Sequence, residues 1–495
     1  MQIYAGPPDF SRDQRPLELK QSAPIYLVHR GTAQTTLPLV GPPPFGILYV
    51  GGALQKAGYP VRIFHLHGPD ERPLLDAVQE QRPLFVGISN FLSPGLKPDI
   101  KLSRKLRGMG LTVVWGGIFT TCLPETVLES DAVDYVVAGE GEVPIVALAG
   151  AITNREPPKK IPGVGYRENN ELKIEPPEKP RLDLDDFPLG MDLIDWSPYV
   201  HADKLTSTTT VHIPFSRGCP FRCAFCYNNM NPNRQKWRAH GAEYMRDVLS
   251  WLGKRHGVNN VYLLCDNPFG KVDAARKIIE DMKTRWMTVA HLGVVNSEFM
   301  DWALAAGATR LGIGLESGSD RVLKMLNKMI SPEEILDKML MCGGKKMFTH
   351  SGWMGILPGE TRDDLARTVR LMDEIHQGNK NHGFSFNIFR AYPFTPLWQK
   401  SVEMGMEEPR TLDQWGDFNP QINKILGISD RRAGRMKTMM SFLFPFYRDL
   451  DRRLPPAARK ILIKRAANAG YFLPVEGSLR MGYRAFRSAR KILPI

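Results

Sequence analysis

The stretch TVHIPFSRGCPFRCAFCYNN, residues 210–229, decides the fold of the C-terminal half of this chain. An apolar, strand-like run leads into a loop that carries three of the six cysteines in the spacing C-x3-C-x2-C, namely Cys219, Cys223 and Cys226. Three thiolates on one loop can hold three irons of a [4Fe–4S] cluster and leave the fourth iron open to a small ligand. A structural zinc site would need a fourth protein ligand, and the nearest histidines have no ligand-like spacing to the loop.

Strand and helix patterns alternate on both sides of this loop. After it, apolar runs such as VYLLCD, TRLGIGLES and FSFNIFRAY are separated by amphipathic stretches, which predicts a partial (β/α)6 barrel over residues 206–400. Before it, residues 24–154 alternate in the same way and predict a Rossmann-like, doubly wound parallel sheet. Catalytic residues of such folds lie at the carboxyl ends of the strands, so the cysteine loop after the first barrel strand is placed for function.

The remaining segments complete the predicted α/β organisation. Residues 1–23 form an N-terminal extension, residues 155–205 a linker rich in Pro and charge with one small hairpin, and residues 401–495 a helical basic region. Six cysteines in 495 residues, three of them isolated, do not form a disulfide framework. With 43% hydrophobic and 24% charged residues, no apolar run of membrane-spanning length and no secretory signal pattern, the sequence predicts a cytoplasmic protein.

The net charge of +13 is concentrated at the C-terminus. Residues 431–495 contain sixteen Lys and Arg against three acidic residues, so the preceding residues are neutral overall. Interleaved aromatic, aliphatic and basic residues there fit peripheral association with an anionic membrane surface, at the inner face of the membrane. The alternative is a helical cap whose apolar face packs on the barrel. Nucleic acid is disfavoured as a partner because no known RNA-binding motif accompanies the charge.

The loop SRGCPFRCAFCYNN resembles the signature loop of the radical S-adenosylmethionine (SAM) enzymes. That resemblance implies that Cys219, Cys223 and Cys226 bind a [4Fe–4S] cluster, that SAM chelates its open iron, and that Phe225 is the family's aromatic residue before the last cysteine. LGIGLESGSDRVLKMLNK and SGWMGILPGET resemble later strands of this family, and they place Glu316, Ser317 and Gly355 as candidate SAM contacts.

One element of the family is missing. The usual Gly-Gly-Glu after the second barrel strand is replaced by LLCDNPFG, in which Asp266 and Asn267 are the candidates to bind the SAM amino group.

The N-terminal domain resembles the cobalamin-binding domain found ahead of one large class of radical SAM enzymes. The resemblance covers residues 42–149, and its most specific part is GGIFTTCLPETVL followed by DYVVAGEGE. Strand-end residues without bulky side chains would admit the cobalamin nucleotide tail. The candidates are Gly87, Ser89, Gly116, Gly117, Gly139, Glu140 and Gly141.

Two features of this domain concern the roles of its glutamates and of its histidines. Glu140 and Glu142 could instead cap a helix or hold the linker. The Asp-x-His-x-x-Gly loop of classical methyl-carrying cobalamin proteins is absent, and His29, His65 and His67 lack its context. The resemblance therefore implies cobalamin bound without a histidine ligand below cobalt.

The resemblance as a whole implies a cobalamin-dependent radical SAM methyltransferase, which would methylate an unactivated carbon of a small-molecule or lipid-like substrate by way of methylcobalamin. An electron donor such as flavodoxin or ferredoxin would be a partner.

A ring-forming or oxidising enzyme, like the anaerobic porphyrin cyclases, is the main alternative, and a non-enzymatic cobalamin or Fe–S sensor is another. A methylthiotransferase is disfavoured because Cys122 is the sole cysteine before the barrel. The residues that act on the substrate remain unassigned.

Overall fold

A computed structural model of the chain describes residues 23–31, 41–92, 95–180, 183–203, 207–230, 236–345, 347–431 and 433–434. Most of the basic C-terminal region, and with it the predicted membrane-binding segment, lies outside these residues. Among the helices of the described part, none combines the length and the apolar character that crossing a bilayer requires.

The N-terminal domain is a twisted sheet with helices on both faces. Within the described residues its strand order is β2-β1-β3-β4-β5-β6-β7, with β1 to β5 parallel and β6 and β7 antiparallel. The order 2-1-3-4-5 places the topological switch point, where ligands of doubly wound sheets bind, between β1 and β3. The elements are β1 (Ile25–Gly31), α1 (Phe45–Lys56), β2 (Val61–His67), α2 (Arg72–Glu80), β3 (Phe85–Ser89), α3 (Leu96–Gly108), β4 (Val113–Gly116), α4 (Ile118–Cys122), α5 (Pro124–Glu129), β5 (Tyr135–Val137), α6 (Glu142–Asn154), β6 (Val164–Glu168) and β7 (Glu171–Ile174).

The hairpin expected in the linker forms and extends this sheet. Asn169 and Asn170 connect β6 to β7, and both have positive φ values, 52° and 65°. Two consecutive left-handed residues are typical of a two-residue type I′ turn, whose twist matches that of the flanking strands. Because β6 also pairs with β5, the sheet continues well past Asn154, where the domain was expected to end.

The rest of the linker, from residue 183 to residue 203, is packed between the two domains. The backbone N–H of Leu189 donates to the Tyr244 hydroxyl at 3.1 Å. The linker lies so close to α1 that a Cβ atom at Gly52 would stand 2.1 Å from the carbonyl oxygen of Pro188. This close approach requires glycine, and it fixes the path of the chain between the domains.

The second domain is an open barrel. Within the described residues six parallel strands run in the order β9-β11-β12-β13-β14-β15, and the short strands β8 and β10 pair antiparallel with β9. The confirmed fold class is thus a doubly wound domain followed by a curled half-barrel. The elements are β8 (His201–Asp203), β9 (Thr208–Arg217), β10 (Arg238–Ala239), α7 (Ala242–His256), β11 (Asn260–Cys265), α8 (Val272–Met282), β12 (Arg285–Ala290), α9 (Ser297–Ala305), β13 (Ala308–Glu316), α10 (Asp320–Met325), α11 (Pro332–Gly343), β14 (Phe348–Gly355), α12 (Arg362–Gly378), β15 (His382–Ile388), α13 (Pro396–Glu403) and α14 (Leu412–Asp417).

Helix α14, which follows the barrel, packs back on the N-terminal domain. Trp415 is 2% exposed and stacks on Trp398 with ring centroids 5.5 Å apart. Its other side meets Phe119 edge-on at 5.7 Å. At the rim of this contact Arg104 in α3 donates two hydrogen bonds of 2.7 Å to Asp413. One hydrophobic cluster therefore runs from the N-terminal domain into the barrel, and a second cluster lies within the N-terminal domain.

Candidate active site between the two domains

The cysteine loop lies at the carboxyl end of β9. Cys219, Cys223 and Cys226 are half-buried thiols outside any disulfide, and the Cys226 backbone N–H donates to the Cys223 carbonyl at 3.0 Å. Across the described residues, no three His, Cys, Asp or Glu side chains converge in a way that would hold one metal ion. A cubane cluster differs from a single ion because each thiolate binds a separate iron, so three thiols spread along one loop fit it.

Asp266 and Asn267, at the end of β11, both contact the cysteine loop. The Asp266 carboxylate accepts hydrogen bonds from the Gly218 backbone N–H at 2.8 Å and from the Tyr227 hydroxyl at 3.0 Å. The Asn267 amide Nδ2 lies 3.8 Å from the Cys219 sulfur, to which it donates. Each carboxylate oxygen of Asp266 has a second lone pair, so it can fix the loop and still accept a bond from a ligand amino group.

Glu316 and Ser317 differ in how well they are placed for a ligand. Glu316 ends β13 with φ of 69°, and its carboxylate lies 3.3 Å from the Lys328 ammonium. A left-handed conformation is unfavourable for a non-glycine residue outside a turn, and such residues are enriched at functional sites. The Ser317 hydroxyl is fully buried and bonds to the Thr368 hydroxyl at 3.1 Å. This gives the Ser317 side chain a structural partner in α12.

Gly355 and Phe225 both lie near the carboxyl ends of barrel strands. Gly355 ends β14, and its carbonyl accepts from the Phe389 N–H at 3.0 Å. The turn that follows is held by Glu360, whose carboxylate accepts from the Ile356 N–H at 2.7 Å. Phe225 is partly buried against the hydrophobic core. Phe225 thus lies within the cysteine loop and Gly355 at a strand end, and neither lines the cavity described next.

A cavity of about 520 Å³ lies between the two domains. The N-terminal domain contributes the strand ends of β3, β4 and β5 with the turns after them, and the barrel contributes the carboxyl ends of β9 and β11. All seven predicted cobalamin contacts line it, together with the predicted SAM contact Asp266. The lining residues used below are Tyr49, Gly87, Ser89, Gly116, Gly117, Gly139, Glu140, Gly141, Glu142, Arg217, Gly218, Tyr227, Arg238 and Asp266.

The glycine turns in the cavity wall are required by the backbone. Gly117 has φ of 95°, and a Cβ atom there would stand 2.5 Å from the Asn90 carbonyl oxygen. Gly139 has φ of 84°. Such turns leave a smooth wall of backbone that a bulky ligand can approach. The wall therefore offers exposed backbone to a ligand, and the role of these residues in binding cobalamin stays a prediction.

Glu140 and Glu142 pair with two arginines of the barrel. Arg217 donates to Glu142 at 2.6 Å, and Arg238 donates to Glu140 at 3.0 Å. Arg238 and Glu142 are 3% and 5% exposed in their side chains. Burial would raise the pKa of Glu140, but the Arg238 and Arg217 guanidiniums outweigh it and hold that pKa below its usual value. Helix α6 has no side-chain cap, which excludes the helix-capping role, and the ion pairs show that the two glutamates bridge the domains.

A chain of buried polar contacts continues from these pairs. The Arg217 guanidinium lies 4.5 Å from the centre of the Tyr49 ring, a cation–π contact. The Tyr49 hydroxyl bonds to His240 Nε2 at 2.6 Å, and His240 Nδ1 bonds to Asp185 at 2.7 Å. Burial lowers the pKa of His240 despite Asp185. A neutral ring that donates from Nδ1 and accepts at Nε2 satisfies both partners, so linker, barrel and N-terminal domain meet here.

His29, His65 and His67 cluster on β1 and β2. The His29 and His65 rings are 5.4 Å apart, and those of His65 and His67 are 4.1 Å apart. His65 Nδ1 bonds to the Tyr199 hydroxyl at 2.6 Å. Burial, together with the charges of His67 and His29, lowers the pKa of His65 to about 3. None of the three lines the cavity between the domains.

Sequence reasoning missed Arg217, Arg238 and Lys328. A signal was present for the first two. They flank the cysteine loop in a region whose overall charge is neutral, and the Gly-Glu-Gly-Glu run offers two carboxylates. Buried charges in proteins are paired, so such residues invite pairing even when far apart in sequence. Lys328 had no comparable signal.

Two family descriptions match the chain. The B12 binding domain matches residues 40–149, and the radical SAM superfamily matches residues 213–372. Both matches fall on the domains whose facing surfaces form the cavity. Together they confirm the family resemblance and the order of the two domains predicted from the sequence.

Curated relatives include methyltransferases and cyclases. An uncharacterized methyltransferase of Pyrococcus horikoshii is 28% identical over 59% of this chain and 63% of its own length. An anaerobic magnesium-protoporphyrin IX monomethyl ester cyclase of Synechocystis is 26% identical over 58% of this chain and 59% of its own length. The cytidylyl-2-hydroxyethylphosphonate methyltransferase of Streptomyces wedmorensis is 24% identical over 82% and 84%. The chain spans about three fifths of the length of the first two of these relatives.

Solved structures share the fold over most of the chain. The radical SAM methyltransferase TsrM from Kitasatospora setae, with cobalamin and a [4Fe–4S] cluster bound, superposes with a TM-score of 0.63 at 16% identity, covering 91% of this chain and all of that one. The cobalamin-dependent radical enzyme OxsB, with aqua-cobalamin and SAM bound, gives 0.66 at 15% identity, covering 90% and 72%. At these identities the likeness shows the arrangement of the domains.

The cysteine loop, the strand-end glycines and the two family matches lead to one assignment. Residues 40–149 form a B12 binding domain, and residues 213–372, which follow it, form a radical SAM domain.

Proposed function

We propose that the chain is a cobalamin-dependent radical SAM methyltransferase that acts on an unactivated carbon of a small-molecule substrate. One observation carries this proposal. A single cavity has the glycine turns of the B12 binding domain on one wall and Gly218, Tyr227 and Asp266, around the cysteine loop, on the other. Transfer between two cofactors requires that their sites face each other, and this cavity provides that arrangement.

The residues that would hold each cofactor follow from their positions. Cys219, Cys223 and Cys226 would bind the cluster, and Asp266 and Glu316 would bind polar groups of SAM. The predicted strand-end residues of the N-terminal domain, from Gly87 to Gly141, would hold cobalamin. When bound, the cluster supplies the electron that cleaves SAM, and cobalamin carries the methyl group.

The protein's own contribution is positioning and exclusion of water. Asp266 holds the cysteine loop at Gly218 and Tyr227, so the cluster loop and the cavity wall move as one unit. The pairs of Glu140 and Glu142 with barrel arginines keep the facing walls together. A reactive radical requires such a preorganised and shielded site, because stray water or protein groups would otherwise react with it.

The relatives support methylation over ring formation. Curated methyltransferases include one that matches this chain over 82% of its length at 24% identity, whereas the cyclases match 58–72% of it at 22–26% identity. Ring formation or oxidation with the same two cofactors remains the second candidate, favoured by the matches to cyclases. The residues lining the cavity hold cofactors in both cases, so the product distinguishes the two functions.

The partners follow from the chemistry. SAM cleavage in this superfamily needs a low-potential one-electron donor, such as flavodoxin or ferredoxin. A small-molecule substrate fits a site enclosed between two domains. A lipid-like substrate would follow from membrane association of the basic C-terminal region, which lies outside the described residues.

The test is anaerobic reconstitution of the full chain with iron, sulfide and cobalamin, followed by reduction in the presence of SAM. We expect 5′-deoxyadenosine and S-adenosylhomocysteine to form together, with a change in the cobalamin absorption spectrum. The variant in which all three loop cysteines are alanine should lose the cluster and SAM cleavage and keep cobalamin. Cys122→Ala, outside the loop, serves as the matched control and should behave as the wild type.

Each other outcome rejects a defined part of the proposal. SAM cleavage without cobalamin binding would reject the role of the N-terminal domain. Binding of both cofactors without any SAM cleavage would support a sensor. 5′-Deoxyadenosine without S-adenosylhomocysteine, together with a substrate that loses hydrogen and gains no methyl group, would favour the ring-forming or oxidising function.

A further inference from the structure

Lys328 is a buried cation beside the cysteine loop. Its side chain is 6% exposed, and its ammonium lies 3.3 Å from the Glu316 carboxylate, which is itself 13% exposed. A buried lysine is costly unless its charge interacts with an opposite charge. Glu316 sits at the end of β13 in a strained left-handed conformation, so the pair is held by the fold and is not a surface contact.

The backbone around Lys328 is joined directly to the loop that surrounds Cys223. The Ala224 N–H donates to the Leu326 carbonyl at 2.8 Å. The Asn327 side chain donates to the Arg222 carbonyl at 2.9 Å. The residues on both sides of Cys223 are therefore hydrogen-bonded to the two residues before Lys328. The backbone that carries Lys328 is thus fixed beside Cys223, a predicted cluster ligand.

A third contact closes the arrangement. The His291 ring, which follows β12, stacks on Phe221 of the cysteine loop with ring centroids 3.9 Å apart. The Phe221–Ala224 part of the loop is thus packed against His291 and hydrogen-bonded to the two residues before Lys328.

Lys328 adds one positive charge and Glu316 one negative charge to a poorly solvated region beside the cysteine loop. Removing the ammonium makes this region more negative by one charge, whatever Glu316 contributes. A positive field in a poorly solvated site favours negative charge more strongly than it would in water.

We propose that the positive charge of Lys328 raises the reduction potential of the cluster and that the negative charge of Glu316 limits the size of this effect. This inference rests on the proposed binding of a [4Fe–4S] cluster by the three cysteines. One electron from a low-potential donor adds one negative charge to the cluster, and a buried ammonium stabilises that added charge. Cluster potentials respond to net charge and solvent exposure in this way.

The experiment is a redox titration of the full chain, reconstituted with iron and sulfide and monitored by electron paramagnetic resonance, without SAM or cobalamin. At the potential where half of the wild-type cluster is reduced, Lys328→Met should lower the ratio of reduced to oxidised cluster about tenfold, which is about 59 mV for one electron. Lys328→Arg keeps the charge and should stay near the wild type. Glu316→Gln removes the opposing charge and should shift the potential in the opposite direction.

Lys324→Met is the matched control. Lys324 lies in α10, four residues before Lys328, but its side chain is 77% exposed and pairs with Asp320. The substitution removes the same charge from the same segment in water, where screening is strong. We expect no change in potential.

A Lys328→Met cluster with full iron content and the wild-type potential would overturn the proposal. Weaker SAM binding without a shift in potential would likewise overturn it, and would assign the ammonium to the ligand. If Lys328→Met does not retain its iron, Glu316→Gln decides, because an unchanged or lowered potential there contradicts the proposal. A wild-type chain that binds no cluster would instead reject the proposed function on which this inference rests.

Discussion

Replacing Arg217 by methionine tests whether the pairs between the domains hold the cavity together. The methionine keeps most of the apolar stem and removes the guanidinium, so Glu142 loses its partner while its own side chain remains 5% exposed. Removing one partner of a buried ion pair costs about 3–5 kcal/mol, because the remaining charge stays buried. Arg217 itself is 24% exposed, which places the expected loss of unfolding free energy near 3 kcal/mol.

A double-mutant cycle separates the pair from other effects of the substitutions. Arg217→Met, Glu142→Gln and the double variant are unfolded in urea, and the coupling energy is the departure from additivity. We expect a coupling of about 2 kcal/mol. Asp363 and Arg367 in α12 provide the control, because they bond at 2.8 Å with side chains 64% and 60% exposed. Exposed pairs of this kind contribute at most about 0.5 kcal/mol.

Cobalamin binding gives a second readout of the same pair. Both residues line the cavity, so a chain whose domains are no longer held together must close them when cobalamin binds. The affinity, measured by absorption titration, should fall by up to about 30-fold, the equivalent of about 2 kcal/mol. A coupling energy below about 0.5 kcal/mol together with unchanged cobalamin affinity would refute the reasoning.

Three further predictions concern single residues. Gly116→Leu should weaken cobalamin binding at least about tenfold at unchanged stability, because a Cβ atom there meets only the Val137 carbonyl at 3.5 Å and the rest of the side chain would enter the cavity. Gly117→Ala should instead lower the stability of the cofactor-free chain by about 1–3 kcal/mol, since the position has φ of 95°; a wild-type urea midpoint would contradict this. Burial lowers the pKa of His382 to about 3, whereas the pKa of a histidine in the unfolded chain is about 6.5. The contribution of the neutral His382 ring to the stability of the fold is therefore complete above pH 6.5 and is lost as the pH falls towards 3. At pH 5 the wild type should have lost about 2 kcal/mol of stability that His382→Gln does not lose, and equal pH slopes in urea unfolding would exclude this.

Local patterns in the sequence predicted the elements and the cluster site. Strand-like and amphipathic runs alternate, and this periodicity depends only on which face of each element is buried. The cysteine spacing acts within one loop, so Cys219 to Cys226 needed no knowledge of the rest of the fold. The left-handed turn at Asn169 and Asn170 also had a local signal, since Asn is common at such positions.

Contacts between distant segments could not be predicted in the same way. Arg217 and Glu142 are 75 residues apart, and Arg238 and Glu140 are 98 apart. The local sequence around one partner does not identify the other partner. The reason is that each segment would also be stable with its charged side chain in water. The sequence therefore offered a cobalamin contact for Glu140, with a helix cap or a linker contact as the alternatives for both glutamates, whereas packing of the domains pairs them with arginines of the barrel.

The burial of Ser317 illustrates a second limit. A serine at a strand end has the same sequence pattern whether its hydroxyl faces a ligand or a neighbouring helix. Here Thr368 in α12 supplies the partner, and the identity of that helix face depends on how the barrel closes. Glu316, one residue earlier, keeps a carboxylate near the cysteine loop through its pairing with Lys328.

The contacts between the domains determine the geometry of the site more than either domain does alone. The linker packs on α1 at Gly52, helix α14 packs on α3 through Arg104 and Asp413, and the buried pairs of Glu140 and Glu142 lie at the cavity itself. Each contact joins segments that are far apart in the sequence, and the cavity lies among them. A change at Gly52 or at the Arg104–Asp413 pair would alter the separation of the two predicted cofactor sites while leaving every predicted cofactor-binding residue in place. Cofactor binding and product formation should therefore respond separately to substitutions at the interface, because catalysis depends on the separation of the reacting groups far more steeply than binding does.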